Sequence, residues 1–308
     1  MIHKYKWKTH EEWLELRKAY IGGSEAGAII GMNPYKSAYT LWAEKTGRAE
    51  PFDGNITTEV GAYLENFVAK KFEFETNKKV RRENFMLVND KYPWAEANVD
   101  RMIIGEKALL EIKTTNSFPN MKKIKGGDFP DAWYAQMTHY LAVTELERAY
   151  LAVLVNCREI YFFTLDRDED EIKSLMSAEE EFMRYINSDT EPPVDGSDST
   201  ADTISAMYPE DNGSEVSLIA YENDLRQYLE ITQNVRDLEA LKKEKLNRIK
   251  AFMGEAEKGE CDKYKCSWKT TQRDSFDVKS FLNDHPDMDL SAYYKTTQYR
   301  TFRVNERK

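Results

Sequence analysis

Apolar residues return at intervals of three and four along several stretches of this chain. Elsewhere they alternate or run together in short blocks. The first pattern predicts helices over residues 57–76, 132–144, 169–187 and 217–253. In the 57–76 helix Leu64, Phe67, Val68 and Phe72 form an apolar stripe. Residues 7–17 read as a further amphipathic helix, with Thr9 and Glu12 spaced as a capping box. Residues 21–31, IGGSEAGAIIG, read as a glycine-hinged turn opening a short helix. Strand patterns cover 80–88, 98–104, 108–114, 149–156 and 159–165, the last two as hairpin partners. Alternation of the two element types predicts an α/β class with a mixed central β-sheet flanked by helices. After residue 187 the pattern breaks into a Pro-, Ser- and Asp-rich stretch. Beyond it lie the long 217–253 helix, strand-like pieces at 264–272 and 299–304, and a short helix at 278–283. Three segments are therefore expected: a core over 1–187, an acidic linker over 188–215, and a C-terminal extension over 216–308 made of a long helix and a small α+β part.

Composition narrows the class. The chain has 308 residues with 41 % hydrophobic and 32 % charged, ordinary for a globular protein. No apolar run approaches the roughly 20 residues that cross a bilayer. The N-terminus MIHKYKWKTHEEW lacks the apolar stretch of a signal peptide. Cys157, Cys261 and Cys266 are too few and too irregularly spaced for a disulfide framework. A cytoplasmic protein with no membrane partner is the expectation.

The formal net charge of −10 argues weakly against nucleic-acid binding, but the acid is unevenly spread. Residues 188–215 hold eight Asp and Glu and no Lys or Arg. Basic residues gather at Lys70, Lys71, Lys78, Lys79, Arg81 and Arg82, and again at Lys122, Lys123 and Lys125. DNA affinity follows the local field of a groove rather than the total charge. The plain alternative for both is a solvated helix end and turn, and the first stretch alone reads equally well that way.

The chemistry concentrates in NVDRMIIGEKALLEIKT, residues 98–114. Gly105 suits the first central position of a two-residue hairpin turn. With Gly105 and Glu106 as that turn, Asp100 lies across from Glu111, and cross-strand partners share a face. Glu111 and Lys113 share a face too, because side chains alternate along a strand. Two carboxylates and an ammonium would then meet on one side of a sheet. Mg²⁺ takes oxygen ligands and is commonly held by one or two carboxylates plus waters and substrate phosphate. Such an ion generates a hydroxide nucleophile and stabilises the leaving oxygen in phosphodiester cleavage. A neighbouring Lys steadies the charge that develops. The plain alternative is an edge strand with a solvated salt bridge. Leu109, Leu110 and Ile112 argue for a central strand instead, where charges need a reason.

Two further polar residues sit on the predicted helices. Glu65 lies beside the apolar stripe of 57–76, as an ordinary half-exposed helical Glu or as a third carboxylate supporting the metal site. Gln136, in WYAQMTHYLAV, either orients a water or phosphate or makes an interhelical hydrogen bond. His139 on the same helix reads as a core histidine rather than a ligand. In the extension, Trp268, Lys269, Arg273, Tyr299, Arg300 and Arg303 mix aromatic and basic side chains. They suit a nucleic-acid surface or two strands with a buried Trp and a solvated face.

Taken in order, the blocks WLELR (Trp13, Leu16, Arg17), IGGSE (residues 21–25), GAYLE (residues 61–65), NVD with LEIK (Asp100, Glu111, Lys113), and AQ (Gln136) resemble those of the lambda-exonuclease/YqaJ-type viral recombinase nucleases. That family lies within the PD-(D/E)xK superfamily, and the resemblance spans about residues 10–185. It implies a restriction-endonuclease-like core and a phage alkaline exonuclease. Such an enzyme digests linear double-stranded DNA from 5′ ends with Mg²⁺, and leaves 3′ overhangs for recombination by strand annealing. By motif, Glu65, Asp100, Glu111 and the backbone carbonyl of Ile112 would hold metal, two ions per site, with Mn²⁺ able to substitute. Lys113 would position the attacking water and Gln136 would assist near the scissile phosphate. Arg17 and Ser24 would receive the 5′-phosphate, since a guanidinium binds phosphate bidentately. The resemblance also implies a homo-oligomeric ring, a trimer above all, a single-strand annealing partner, and a host-cell cytoplasm during infection or lysogeny. The extension from residue 217 onward departs from the compact lambda-type enzyme. Other classes remain open: an endonuclease of the same fold that cuts circular DNA, or a degenerate module that binds DNA or protein. An iron–sulfur variant is disfavoured, because four cysteine ligands are needed and the chain has three cysteines.

Overall fold

The computed structural model describes residues 1–305. Two compact units divide at Tyr208 and Pro209.

The first unit runs β1 (Ile2–Tyr5), α1 (His10–Lys18), β2 (Ile21–Gly22), α2 (Gly23–Ile29), α3 (Ala38–Lys45), α4 (Ile56–Thr76), β3 (Val80–Arg81), β4 (Met86–Asn89), β5 (Tyr92–Ala97), β6 (Arg101–Ile103) and β7 (Ala108–Thr115). It continues through α5 (Phe118–Lys125), α6 (Asp131–Thr144), β8 (Arg148–Val155), β9 (Glu159–Asp166), α7 (Glu169–Asn187) and α8 (Asp198–Met207). The main sheet has the order β3-β6-β7-β8-β9. Only β7 and β8 run parallel within it, so the sheet is mixed. A second sheet has the order β1-β4-β5-β2.

β7 and β8 lie at the centre of the main sheet and are covered on both faces, which explains their nearly unbroken apolar runs. On one face Leu110, Ile112, Ala152 and Leu154 pack under Val68, Ala69 and Phe72 of α4. On the other, Leu109, Leu151 and Val153 meet Met137, Tyr140 and Leu141 of α6, and Leu87 and Ala95 of the second sheet. α6 is buried along nearly its whole length, as its all-round apolar sequence requires.

Several expectations change here. Residues 80–88 form two strands rather than one, β3 in the main sheet and β4 in the second. The polar stretch Arg82-Glu83-Asn84 interrupts the alternation and lets the chain cross between sheets. Residues 98–100 precede β6 rather than belonging to it, and the strand before them is β5, which its Pro93 and Glu96 disguised. α1 begins at His10, where the Thr9 hydroxyl accepts from the Glu12 N–H at 3.2 Å. The acidic 188–215 stretch contains α8. Its small hydroxyl residues pack against α3: Thr200 donates to Ser37 Oγ at 2.7 Å, and Thr40 and Thr203 share a hydrogen bond at 2.8 Å. Acid on the outer positions made this helix look like linker.

The second unit holds α9 (Glu222–Met253), β10 (Lys258–Glu260), β11 (Lys265–Ser267) and α10 (Val278–Asp284). α9 is about 48 Å long by its rise per residue. No residue of α9 is buried. The strand expected over 264–272 shrinks to β11, antiparallel to β10, and 299–304 carries no strand. Trp268 is 44 % exposed beneath the Lys250 ammonium rather than buried, because so short a hairpin closes no core.

No helix among the described residues is long and apolar enough to cross a membrane.

Candidate active site

β6 and β7 make the hairpin expected of residues 98–114. Arg101 pairs with Leu110 and Met102 with Leu109, a register that sets Asp100 opposite Glu111. Gly105 stands in the turn with φ +86°, a conformation that favours glycine. β6 ends as it reaches Asp100, so β7 runs on without an antiparallel neighbour on that side. The Asp100 carboxylate fills the gap and accepts from the Ile112 N–H at 2.8 Å. The N–H and C=O of one strand residue point to the same edge, so the Ile112 carbonyl also opens toward Asp100.

Glu111 and Lys113 project from β7 toward α6. The Lys113 Nζ lies 2.8 Å from Glu111 Oε1 and donates to Gln136 Oε1 at 2.8 Å. Gln136 Nε2 donates to Glu111 Oε1 at 2.9 Å and to the Tyr140 hydroxyl at 3.0 Å. Glu111 Oε1 thus receives two donors. Its partner Oε2 is buried and finds no hydrogen-bond partner among the described residues. A buried, unsatisfied carboxylate oxygen is costly.

The electrostatics of the pair sharpen this. Burial, followed by the nearby Glu111 carboxylate, pushes the Asp100 carboxyl well above its ordinary range, against the pull of Lys113 and the Ile112 N–H. Burial disfavours the Lys113 charge, but Glu111 and Asp100 outweigh it and hold the ammonium above its usual value. Two neighbouring carboxylates, one with an orphaned buried oxygen, need more positive charge than one lysine provides. The donor set fits a divalent cation on that ground.

Glu65 approaches from the opposite face of the sheet on α4. Gly61 lies one helical turn before it, and a Cβ there would come 3.3 Å from the Thr114 hydroxyl. The missing side chain lets α4 pass close to the end of β7, which explains the glycine in GAYLE. Glu65 is not free to act with the other carboxylates as it stands. Its Oε1 is engaged by the buried Arg101 guanidinium, and Arg82 stands 3.9 Å away. Among the described residues no three carboxylate, imidazole or thiol side chains gather closely enough to hold a metal together.

Arg17 and Ser24 do come together. Arg17 Nη2 donates to Ser24 Oγ at 3.4 Å. The guanidinium stacks over Trp13, one turn earlier on α1, at 4.8 Å, which accounts for the spacing in WLELR. Glu96 and Glu25 flank it at 3.6 and 3.7 Å. Glu96 is 2 % exposed, and burial raises its carboxyl to about 7 in spite of Arg17, His139 and Lys45 nearby. Gly22 leaves room for it, since a Cβ there would fall 2.7 Å from Glu96 Oε1.

His139 is a core histidine, as its setting suggested. It is wholly buried between the Glu179 carboxylate at 2.7 Å and the Glu96 carbonyl at 2.8 Å. Of the basic clusters, Lys78 pairs with Glu106 and Lys123 with Asp131. Sequence reasoning missed Arg101, Glu96 and Tyr140. Arg101 stood inside the quoted motif and Tyr140 one helical turn after Gln136, a spacing that signals a shared face.

Comparison with known proteins follows the same outline. Residues 12–147 match the YqaJ-like viral recombinase domain family. The "Uncharacterized protein YqaJ" of Bacillus subtilis (strain 168) is 34 % identical over 304 residues, covering 97 % of this chain and 95 % of its own. Among solved structures, an alkaline exonuclease (LHK-Exo) from Laribacter hongkongensis superposes with a TM-score of 0.51 at 18 % identity, covering 58 % of this chain and 93 % of that one. Its complex with dAMP matches equally well. These structural likenesses establish the exonuclease fold, while the near-complete alignment with the Bacillus protein establishes the kinship. The chain belongs to the YqaJ-like viral recombinase family.

Proposed function

We propose that this protein is a metal-dependent nuclease that resects linear double-stranded DNA from its 5′ ends and leaves 3′ single strands for annealing-type recombination. One observation carries the reading. Glu111 and Gln136, both buried, and the partly exposed Lys113 form a closed set beside Asp100, and Glu111 keeps an oxygen with no partner among the described residues. Glu179, paired with His139 in the core, keeps an unpartnered oxygen too; what sets Glu111 apart is the second carboxylate, Asp100, close beside it. The alkaline exonuclease from Laribacter, similar in fold, supports the same direction.

Mg²⁺, or Mn²⁺ in its place, would be held by Asp100, Glu111 and the Ile112 carbonyl, with Glu65 completing a two-ion set once it leaves Arg101. The ion supplies an activated water and a positive charge for the phosphoryl oxygens. Everything else falls to the chain itself. Lys113 holds an ammonium where negative charge develops. Gln136 fixes Lys113 and Glu111 relative to one another through one amide. Arg17 offers a planar donor fork and Ser24 a hydroxyl, a pairing suited to a terminal phosphate. Processive resection by an acidic protein would follow from a ring, a trimer by family resemblance, with basic residues facing DNA and acid outside. A single-strand annealing protein is the expected partner, and the host-cell cytoplasm the expected setting.

The test is digestion of linear duplex DNA with and without Mg²⁺. Loss of the 5′-phosphorylated strand from its end, with a closed circle spared, is the expected result. Cutting of the circle would point to an endonuclease, and no metal-dependent cutting of either would remove the reading.

A further inference from the structure

Tyr140 stands between the two halves of the site. Its hydroxyl accepts one of the two N–H groups of Gln136 at 3.0 Å, while the other goes to Glu111 at 2.9 Å. Gln136 Oε1 is taken by Lys113. The amide is therefore fully used. A flipped amide would set N–H groups against the ammonium and an oxygen against the carboxylate. At its other side the Tyr140 ring presses on α2. A Cβ on Gly23 would fall 2.4 Å from Cε1 of that ring, so backbone and ring are in direct contact. Gly23 is the residue before Ser24, which meets Arg17. The ring is buried in the main core and cannot step aside without displacing its neighbours.

We infer that Tyr140 is a positioning residue that couples engagement of the Arg17–Ser24 pair by a DNA end to the setting of Gln136 against Glu111 and Lys113. The inference rests on the nuclease reading given above. α2 begins at Gly23 and carries Ser24, and with Gly23 against the ring any shift of α2 on engaging a phosphate would press on or release it. The ring passes that shift to its hydroxyl, and the hydroxyl to the Gln136 amide.

The test separates the ring from the hydroxyl. Tyr140→Phe keeps the contact with Gly23 and removes the acceptor of Gln136. It is expected to lower kcat by about tenfold, the scale of one unsatisfied buried donor, with KM for 5′-phosphorylated duplex unchanged. Gly23→Ala displaces the ring and should lower both kcat and the preference for 5′-phosphoryl over 5′-hydroxyl ends. In the Tyr140→Phe background, Gly23→Ala should still weaken end preference but cost no further kcat, because the link is already cut. Equilibrium binding of 5′-phosphoryl and 5′-hydroxyl duplexes without metal, read by fluorescence anisotropy, supplies a measure independent of turnover. It should show preference kept in Tyr140→Phe and reduced in Gly23→Ala. Additive losses in kcat would overturn the coupling. So would a Tyr140→Phe protein with unchanged kcat, which decides the matter even where Gly23→Ala does not fold. Inactive wild-type protein would instead strike the nuclease reading itself.

Discussion

Glu96→Gln should make the protein more stable at neutral and alkaline pH, and the size of the gain follows from where Glu96 sits. The carboxyl is 2 % exposed, accepts from Asn98 Nδ2 at 2.7 Å, and has Arg17 no closer than 3.6 Å. Desolvation outweighs that partial pairing and lifts the carboxyl from 4.5 to about 7. A raised carboxyl favours the folded state while it keeps its proton. The benefit is complete below pH 4.5 and is lost as pH climbs to about 7. The whole loss comes to about 3 kcal/mol. Glutamine carries no such charge and should escape it. Urea unfolding of both proteins, followed from pH 4.5 to 8.5, should show similar stability at the acid end. The variant should pull ahead by up to about 3 kcal/mol near pH 8, a difference in melting temperature of about 6–12 °C for a unit of this size. A wild-type-minus-variant difference that stays flat across this range would refute the argument that Glu96 is buried as a poorly paired acid.

Other consequences are open to direct measurement. Lys113→Ala should abolish cleavage while leaving duplex binding within a fewfold of wild type by electrophoretic shift. Arg17→Ala should leave cleavage of 5′-hydroxyl ends nearly intact and erase the preference for 5′-phosphate, visible in paired rate measurements on the two substrates. Millimolar Mg²⁺ should raise the melting temperature of the wild-type protein, and Glu111→Gln should lose that response, since a ligand stabilises only the state that binds it. His139→Ala should destabilise the first unit by about 3–5 kcal/mol, because Glu179 would be left as a buried unpaired charge; guanidinium unfolding would expose a smaller effect.

Much of the site was legible in local pattern. The alternation along LEIKT placed Glu111 and Lys113 on one face, and the Gly105 turn set the register that opposes Asp100. The boundaries of α7 matched the apolar period over residues 169–187. What escaped was set by partners distant in sequence. β5 carries a proline and a buried glutamate, and only the packing of His139 and Arg17 around Glu96 reveals why. α8 hides its hydroxyl face against α3, which no local property announces. Arg101 reads as a strand residue until α4 brings Glu65 beside it. Gly22 and Gly23 looked like a hinge. Their role is to admit Glu96 and the Tyr140 ring, at contacts too close for any Cβ.

The orphaned Glu111 carboxylate oxygen, with Asp100 beside it, is the feature on which the metal-dependent nuclease reading stands. Digestion of linear duplex with 5′-phosphate ends, beside a covalently closed circle, in Mg²⁺ or EDTA, with Glu111→Ala protein in parallel, tests it most directly. The expected result is 5′-end resection of the linear DNA in Mg²⁺ alone, an intact circle, and an inactive variant. Cleavage by the Glu111→Ala protein, or cleavage that persists in EDTA, would contradict it.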